Sequence, residues 1–259
     1  VSITSGSSTR CMSIEYCSPT LRTMKLVTIS RDLAAACDQL DFPEPVTHVY
    51  NPLQYARTPH EKFLRKYGRK NPSAILLGMN PGPWGMAQTG VPFGEIAAAR
   101  DFLNVAGRVK QPDLIHPKRP IEGFECQRSE VSGRRLWGWV DDRFESADAF
   151  ADYYYVCNYC PLVFMEEGGR NFTPDKLKAA KRDELFSICD DALRKTVDYL
   201  KPEWVIGIGK FAESRAAKTL ADYDVKIGTI LHPSPASPMA NRGWQPHIEK
   251  QLTALGLPN

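Results

Sequence analysis

Two carboxamides and an imidazole stand at the heads of three proline-rich turns in this chain: Asn80 in GMNPGPWG, Asn158 in CNYCP and His232 in LHPSPASP. A carboxamide donates and accepts hydrogen bonds at once, and a neutral imidazole donates one, so the three together can read a planar polar heterocycle and stabilise negative charge forming on it. Phe93 and Trp84 lie in the same stretch as Asn80 and offer flat faces for stacking. Taken singly, each turn has an ordinary explanation, since Asn-Pro-Gly-Pro makes turns and a histidine after a strand is commonly a satisfied polar residue. Only their convergence would make a pocket.

Convergence requires the elements behind the turns to lie side by side. Ala74 to Gly78 is a continuous apolar run between Pro72 and the glycine-proline cluster, the pattern of a buried strand running into a loop. Tyr153 to Cys157 is aromatic and β-branched, and Trp204 to Ile208 and Val225 to Leu231 complete a set of four expected strands. Helical patterns are expected from Ser30 to Leu40, His60 to Gly68, Gly94 to Val105, Ser132 to Trp139 and Phe211 to Leu220, with a final helix at the C-terminus. Thr173-Pro174-Asp175 reads as the capped start of a long helix whose apolar face carries Leu185, Ile188, Ala192 and Leu200. Residues 107 to 130 read as a long loop, and EEGGRN as a polar one. Alternating strands and helices imply parallel pairing with right-handed crossovers, hence an α/β fold: a three-layer α/β/α sandwich around a central, mostly parallel four-stranded sheet. Ligands in such sheets sit beyond the carboxyl ends of the strands, where all three turns fall.

The 259 residues, 42% hydrophobic, suffice for one large domain, assigned here to residues 26–259 behind a polar, disordered or non-native lead over 1–25. A net charge of only +3 means that a nucleic-acid partner would need basic groups gathered on one face. Seven irregularly spaced cysteines argue against a disulfide framework. The Cys157-x-x-Cys160 pair lacks a second pair at ligand spacing, so buried small residues are preferred to a metal site and no metal or cofactor is expected. No apolar run of 18 residues and no signal-peptide core occurs, so a location inside the cell is expected, in the nucleus of a eukaryote or the cytoplasm and nucleoid of a bacterium.

The run GMNPGPWGMAQTGVPFGE, from Gly78 to Glu95, resembles the first active-site motif of the single-strand-selective monofunctional uracil-DNA glycosylases, a branch of the uracil-DNA glycosylase superfamily, and HPSPASP resembles their second. HPKRP, SEVSGRRLWGW and GGRNFTP fit the same pattern, and the likeness extends from about Leu76 to the C-terminus. It implies hydrolysis of the N-glycosidic bond of uracil in DNA. His232 would lie near O2 and stabilise the departing anion, and Asn80 would position the attacking water. An amide cannot act as a general base, so the implied mechanism is dissociative and the turnover modest. Asn158 would give to O4 and accept from N3–H, Phe93 would stack on the extruded base, and Met79 would line the pocket through its backbone. Gly82 has no side chain where uracil-only relatives place a tyrosine against C5, which implies room for 5-substituted uracils such as 5-hydroxymethyluracil. With no lysine in these motifs to form a Schiff base, the product is an abasic site in an uncut strand.

The partner so implied is DNA, met by a monomer. A flipped nucleotide leaves a gap that some element must fill. The family carries an arginine wedge in the loop after the second-motif histidine, whereas this chain has Ala236 followed by Ser237, so the wedge is missing or supplied by Met239 or Arg242. Single strands, which need less unstacking, are therefore the expected preference. Arg170, Asn171 and Thr173 at the turn and helix start, and Ser234, Pro235, Ala236, Ser237 and Arg242, form the expected DNA-contacting set. Lys176, Lys178, Lys181 and Arg182, like Lys118, Arg119, Arg134 and Arg135, read equally well as a solvated surface. Rival readings are a glycosylase of the same fold for mismatched thymine or hypoxanthine, and a non-catalytic single-stranded DNA binder, which would need neither Asn80 nor His232. A dinucleotide site at Gly207-x-Gly209 fails for want of the third glycine.

Overall fold

A computed structural model describes residues 19–259, with side chains from residue 24 onward; residues 1–18 of the expected lead lie outside the described residues. Helix α1 spans Pro19–Cys37, so ordered chain begins inside the segment 1–25 assigned to the lead. The β-branched run Val27-Thr28-Ile29 weakens the helical signal there, but Leu26, Val27 and Ile29 are buried and packing overrides propensity.

The elements that follow are β1 (His48–Tyr50), α2 (Pro52–Tyr55), α3 (Arg57–Tyr67), β2 (Ala74–Gly78), α4 (Met86–Thr89), α5 (Val131–Arg143), α6 (Ala147–Ala151) and β3 (Tyr154–Asn158). After them come β4 (Val163–Met165), β5 (Asn171–Phe172), α7 (Ala179–Leu200), β6 (Trp204–Ile208), α8 (Lys210–Thr219), β7 (Lys226–Ile230), α9 (Pro238–Asn241) and α10 (Trp244–Ala254). The expected helix over 94–105 is a wide π-type turn, Ala98–Phe102. Thr173 does not cap a helix: a single 3-10 turn, Pro174–Lys176, intervenes, and α7 starts at Ala179. The helix N-terminus expected to receive a phosphate at Thr173 is therefore absent from that place.

The main sheet has the order β3-β2-β6-β7 with every pairing parallel. Side chains alternate across it. Leu77, Tyr155 and Cys157 meet Leu26 of α1 and Leu193 of α7 on one face. On the other, Tyr154 packs among Trp139, Phe144 and Phe150, and Trp139 meets Trp244 of α10. Helices thus cover both faces, and each large side chain buried between the layers stabilises the fold by about 1.5–3 kcal/mol.

A second sheet, β1-β4-β5, is antiparallel and was not expected. Its strands hold two or three residues each, too few for a period-two pattern to register. EEGGRN is the turn of its hairpin, closed by Gly169 N–H donating to the Glu166 carbonyl, with Gly169 at φ +78° where a side chain would be strained.

Candidate active site

Register brings the three turns together. Gly78 of β2 is paired with Asn158 of β3, and beyond the same edge of the sheet His232 follows β7. The cleft they border has a volume of about 550 Å³ and is lined by Met79, Asn80, Gly82, Trp84, Phe93, Asn158 and His232 from the three turns. Asn171, Thr173, Ser234 and Pro235 line it from the expected DNA-contacting set. Arg170, Ala236 and Arg242 are exposed outside that lining, and Ser237 is occupied in capping α9, its hydroxyl accepting from Ala240 N–H.

Each polar side chain in the cleft is oriented by what it already holds. The Asn80 amide gives Nδ2–H to the Leu162 carbonyl at 3.1 Å, which leaves Oδ1 as its acceptor for a water or hydroxyl. Asn158 Nδ2 lies 3.2 Å from the Met86 sulfur, a weak acceptor that a better one can replace. Tyr159, the next residue, is anchored by its hydroxyl to Asp190 and receives Arg215 Nε. Arg215 and Asp190 form a largely buried ion pair behind it, so the backbone at Asn158 is held from outside the cleft. His232 is desolvated, which lowers its pKa to about 4 and leaves it neutral at physiological pH with one N–H to give.

Phe93 sits at φ +52°, an unfavourable backbone for an aromatic residue, and the surrounding contacts impose it. Trp137 Nε1–H donates to its carbonyl at 3.1 Å, and Gly133 has no side chain where that carbonyl approaches. Thr89 Oγ1 donates to the Gly94 carbonyl and accepts from Val91 N–H. Buried His60 gives Nδ1–H to the Gly90 carbonyl at 2.7 Å, which makes its Nε2 the acceptor for the Ser30 hydroxyl. The Phe93 ring consequently stands 6.2 Å from the His232 ring, over Gly78.

Two basic residues of the long loop find particular roles here. Arg119 and Arg128 both place guanidinium groups against the Trp84 ring, at 5.2 and 4.3 Å from its centroid; of these only Arg119 was among the residues named from sequence. Buried Gln88 ties that loop to the first turn, donating to the Pro83 and Pro120 carbonyls and accepting from Glu122 and Gly123 N–H. Arg135 is no solvated surface group. It clamps the third turn through the Pro233 and Ser234 carbonyls and Asn241. Lys181 and Arg182 are engaged by Asp41, Glu184 and Asp183.

Sequence reasoning missed Glu130. Its carboxyl lies in the cleft wall where side chains on Gly82 and Gly85 would begin, 2.2 and 1.7 Å from Cβ atoms built there. The opening expected beside Gly82 is therefore filled in part by a carboxyl. Desolvation and the nearby Glu95 carboxylate raise its pKa to about 7. Glu130 sits in the SEVSG stretch, but a contact this distant in sequence leaves no local pattern. Among the described residues no group of metal-binding side chains occurs and no helix is long and apolar enough to cross a membrane.

Comparison with known proteins gives concordant results. The profile of the uracil DNA glycosylase superfamily matches residues 65–255. A rat protein named single-strand selective monofunctional uracil-DNA glycosylase is 47% identical over 87% of this chain and 82% of its own length. A bovine protein of the same name is 45% identical over 85% of this chain and 81% of its own. The crystal structure of Pedobacter heparinus SMUG2 superposes with a TM-score of 0.61 over 88% of this chain and 97% of that one, at 18% identity, a likeness of fold.

Proposed function

The chain belongs to the uracil DNA glycosylase superfamily, in its single-strand-selective monofunctional branch, and on that premise we propose that it hydrolyses the N-glycosidic bond of uracil in DNA, single strands preferred, leaving an abasic site. The observation that carries the reading is the convergence of Asn80, Asn158, His232 and Phe93 on one cleft. The flipped base stacks on Phe93, and Asn158 gives Nδ2–H to O4 while its oxygen accepts from N3–H. That is the edge uracil offers and cytosine reverses. As the bond lengthens, neutral His232 donates to O2, where charge collects, and the base leaves as an anion. A water held by Asn80 Oδ1 then captures the sugar cation. Nothing in this sequence of steps takes a proton from that water while it attacks, so bond breaking leads and capture follows.

DNA phosphates are received around the mouth of the cleft by Arg119, Arg128 and Arg170, with Asn171, Thr173 and Ser234 nearer the sugar. Arg242 and the exposed Met239 flank the third turn, where Ala236 offers no wedge. The enzyme works as a monomer, inside the cell where its DNA is. A panel of otherwise identical oligonucleotides tests the substrate: uracil is expected to be released from single strands and opposite guanine, while thymine opposite guanine and hypoxanthine remain. Release of either of those in preference to uracil would transfer the chain to a rival specificity, and binding without release would make it a DNA binder.

A further inference from the structure

Trp84 is the second aromatic ring in the cleft, and excision as described above gives it nothing to do. It lines the cleft from the first turn, half-buried, whereas the flipped uracil is taken by Phe93, Asn158 and His232. The cleft is about 550 Å³, and pockets of that size take ligands larger than one pyrimidine. Room is therefore left on the Trp84 side once the flipped base is seated.

The surface around this ring is held from beneath. Arg119 and Arg128 lay their guanidinium groups against it, with Cζ at 5.2 and 4.3 Å from the centroid. Arg119 belongs to the HPKRP turn, where the Tyr50 hydroxyl donates to the Arg119 carbonyl at 2.6 Å and accepts from His116 N–H at 2.8 Å. Buried His116 in turn gives Nε2–H to the Glu166 and Glu167 carbonyls. A Cβ on Gly169 would stand 3.6 Å from Arg119 Cζ, so the basic edge runs on from Trp84 to the hairpin that carries Arg170. Arg128 is placed differently. It is exposed, and among the described residues its side chain has no hydrogen bond or ion pair, only the indole. An exposed cation–π contact is weaker than the stacking of a nucleobase on indole, so the part of the ring that Arg128 covers is open to a base.

We propose that Trp84 is a second base subsite, taking the unpaired nucleotide next to the uracil, an inference that rests on the reading under Proposed function. The neighbouring base stacks on the indole, and Arg128, displaced from the ring, joins Arg119 on the phosphate between the two nucleotides. A neighbour paired in a duplex stays in its own stack and does not reach the ring, so the subsite favours single strands. Every base has a flat face to offer, so the subsite imposes no sequence on the neighbour.

The test uses single-stranded oligonucleotides with one uracil whose neighbour on the 5′ or the 3′ side is either a normal nucleotide or a base-free tetrahydrofuran residue. The ratio of kcat/KM with and without the neighbouring base is measured within each protein, which cancels any general loss of folding or turnover. In the wild type, removing the base on one of the two sides should lower kcat/KM about tenfold, the scale of one base–aromatic stack. In Trp84→Leu the strand with both neighbours should already be about tenfold slower than with wild type, and removing the same base should change it by less than about twofold. Trp84→Phe, which keeps a flat face, should retain the dependence on that base. A wild type indifferent to the base on both sides would overturn the inference, as would a Trp84→Leu protein that loses as much as wild type; either leaves the proposed function standing. Failure of the wild type to release uracil from the strand with both neighbours would instead overturn the function itself.

Discussion

Replacing His232 with alanine is expected to lower kcat for uracil release by about 10²- to 10³-fold, the loss of about 2.7–4 kcal/mol that removal of one well-aimed donor to a developing anion brings. The effect should fall on kcat more than on KM, because the charge that the imidazole meets at O2 exists only as the bond breaks. The pH profile carries the sign. Burial lowers the pKa of His232 to about 4, so the ring is neutral throughout pH 6–8 and protonates only as the pH falls through about 4. Wild-type kcat should therefore show no inflection near 6.5 that disappears in His232→Ala. Such an inflection would mean that an imidazolium, not an imidazole, does the work. Single-turnover rates across pH for the two proteins decide the matter.

Gly78→Ala should be nearly as damaging, although the added group is one methyl and position 78 touches no substrate. A Cβ there would stand 2.2 Å from Asn158 Oδ1 and 2.8 Å from the Phe93 ring, the two groups assigned to reading and stacking the base. Neither neighbour can retreat freely. Phe93 is fixed by Trp137, and Gly78 itself is held by its pairing in β2 and by Tyr159 N–H donating to its carbonyl at 2.9 Å. Stacking on an aromatic contributes about 1–3 kcal/mol, and the displaced amide adds its own share, so kcat/KM should fall by about 10²-fold or more. The fold should lose only about 1–3 kcal/mol, as overpacking of a single site does. Denaturation midpoints measured beside excision rates separate the two effects. A variant as active as wild type but less stable would show that Asn158 and Phe93 do not form the base pocket.

The cleft was legible in sequence because its parts follow the strongest local signals. The runs Ala74–Gly78 and Trp204–Ile208 are continuous apolar segments ended by glycine or proline, and both strands occur over those residues. Parallel pairing followed from the alternation of elements, while the order β3-β2-β6-β7 is set by packing that the alternation does not encode. What escaped notice depends on contacts between distant segments. The small sheet β1-β4-β5 is made of strands too short to show a period. Thr173-Pro174-Asp175 has the composition of a helix start, yet the chain spends it on a 3-10 turn after β5 and begins α7 at Ala179. Glu130 and Arg135 have the composition of surface residues, and only folding brings one to Gly82 and Gly85 and the other to the carbonyls of Pro233 and Ser234. The missing side chain at Gly82 has a partner that composition does not reveal: the Glu130 carboxyl stands where a Cβ would begin.

The central claim, that this cleft releases uracil by letting the base depart before a water held at Asn80 attacks, is tested most directly by single-turnover excision. The substrate is a single-stranded oligonucleotide carrying one uracil, with wild type and Asn80→Ala compared and strand breakage scored before and after alkali. Breakage only after alkali, about 10²-fold slower in Asn80→Ala because without a positioned water the sugar cation rejoins the bound uracil anion before it is captured, with unaltered affinity for the oligonucleotide, is the result predicted. Strands that survive alkali after exposure to the wild type, or an Asn80→Ala protein as fast as wild type, would contradict it.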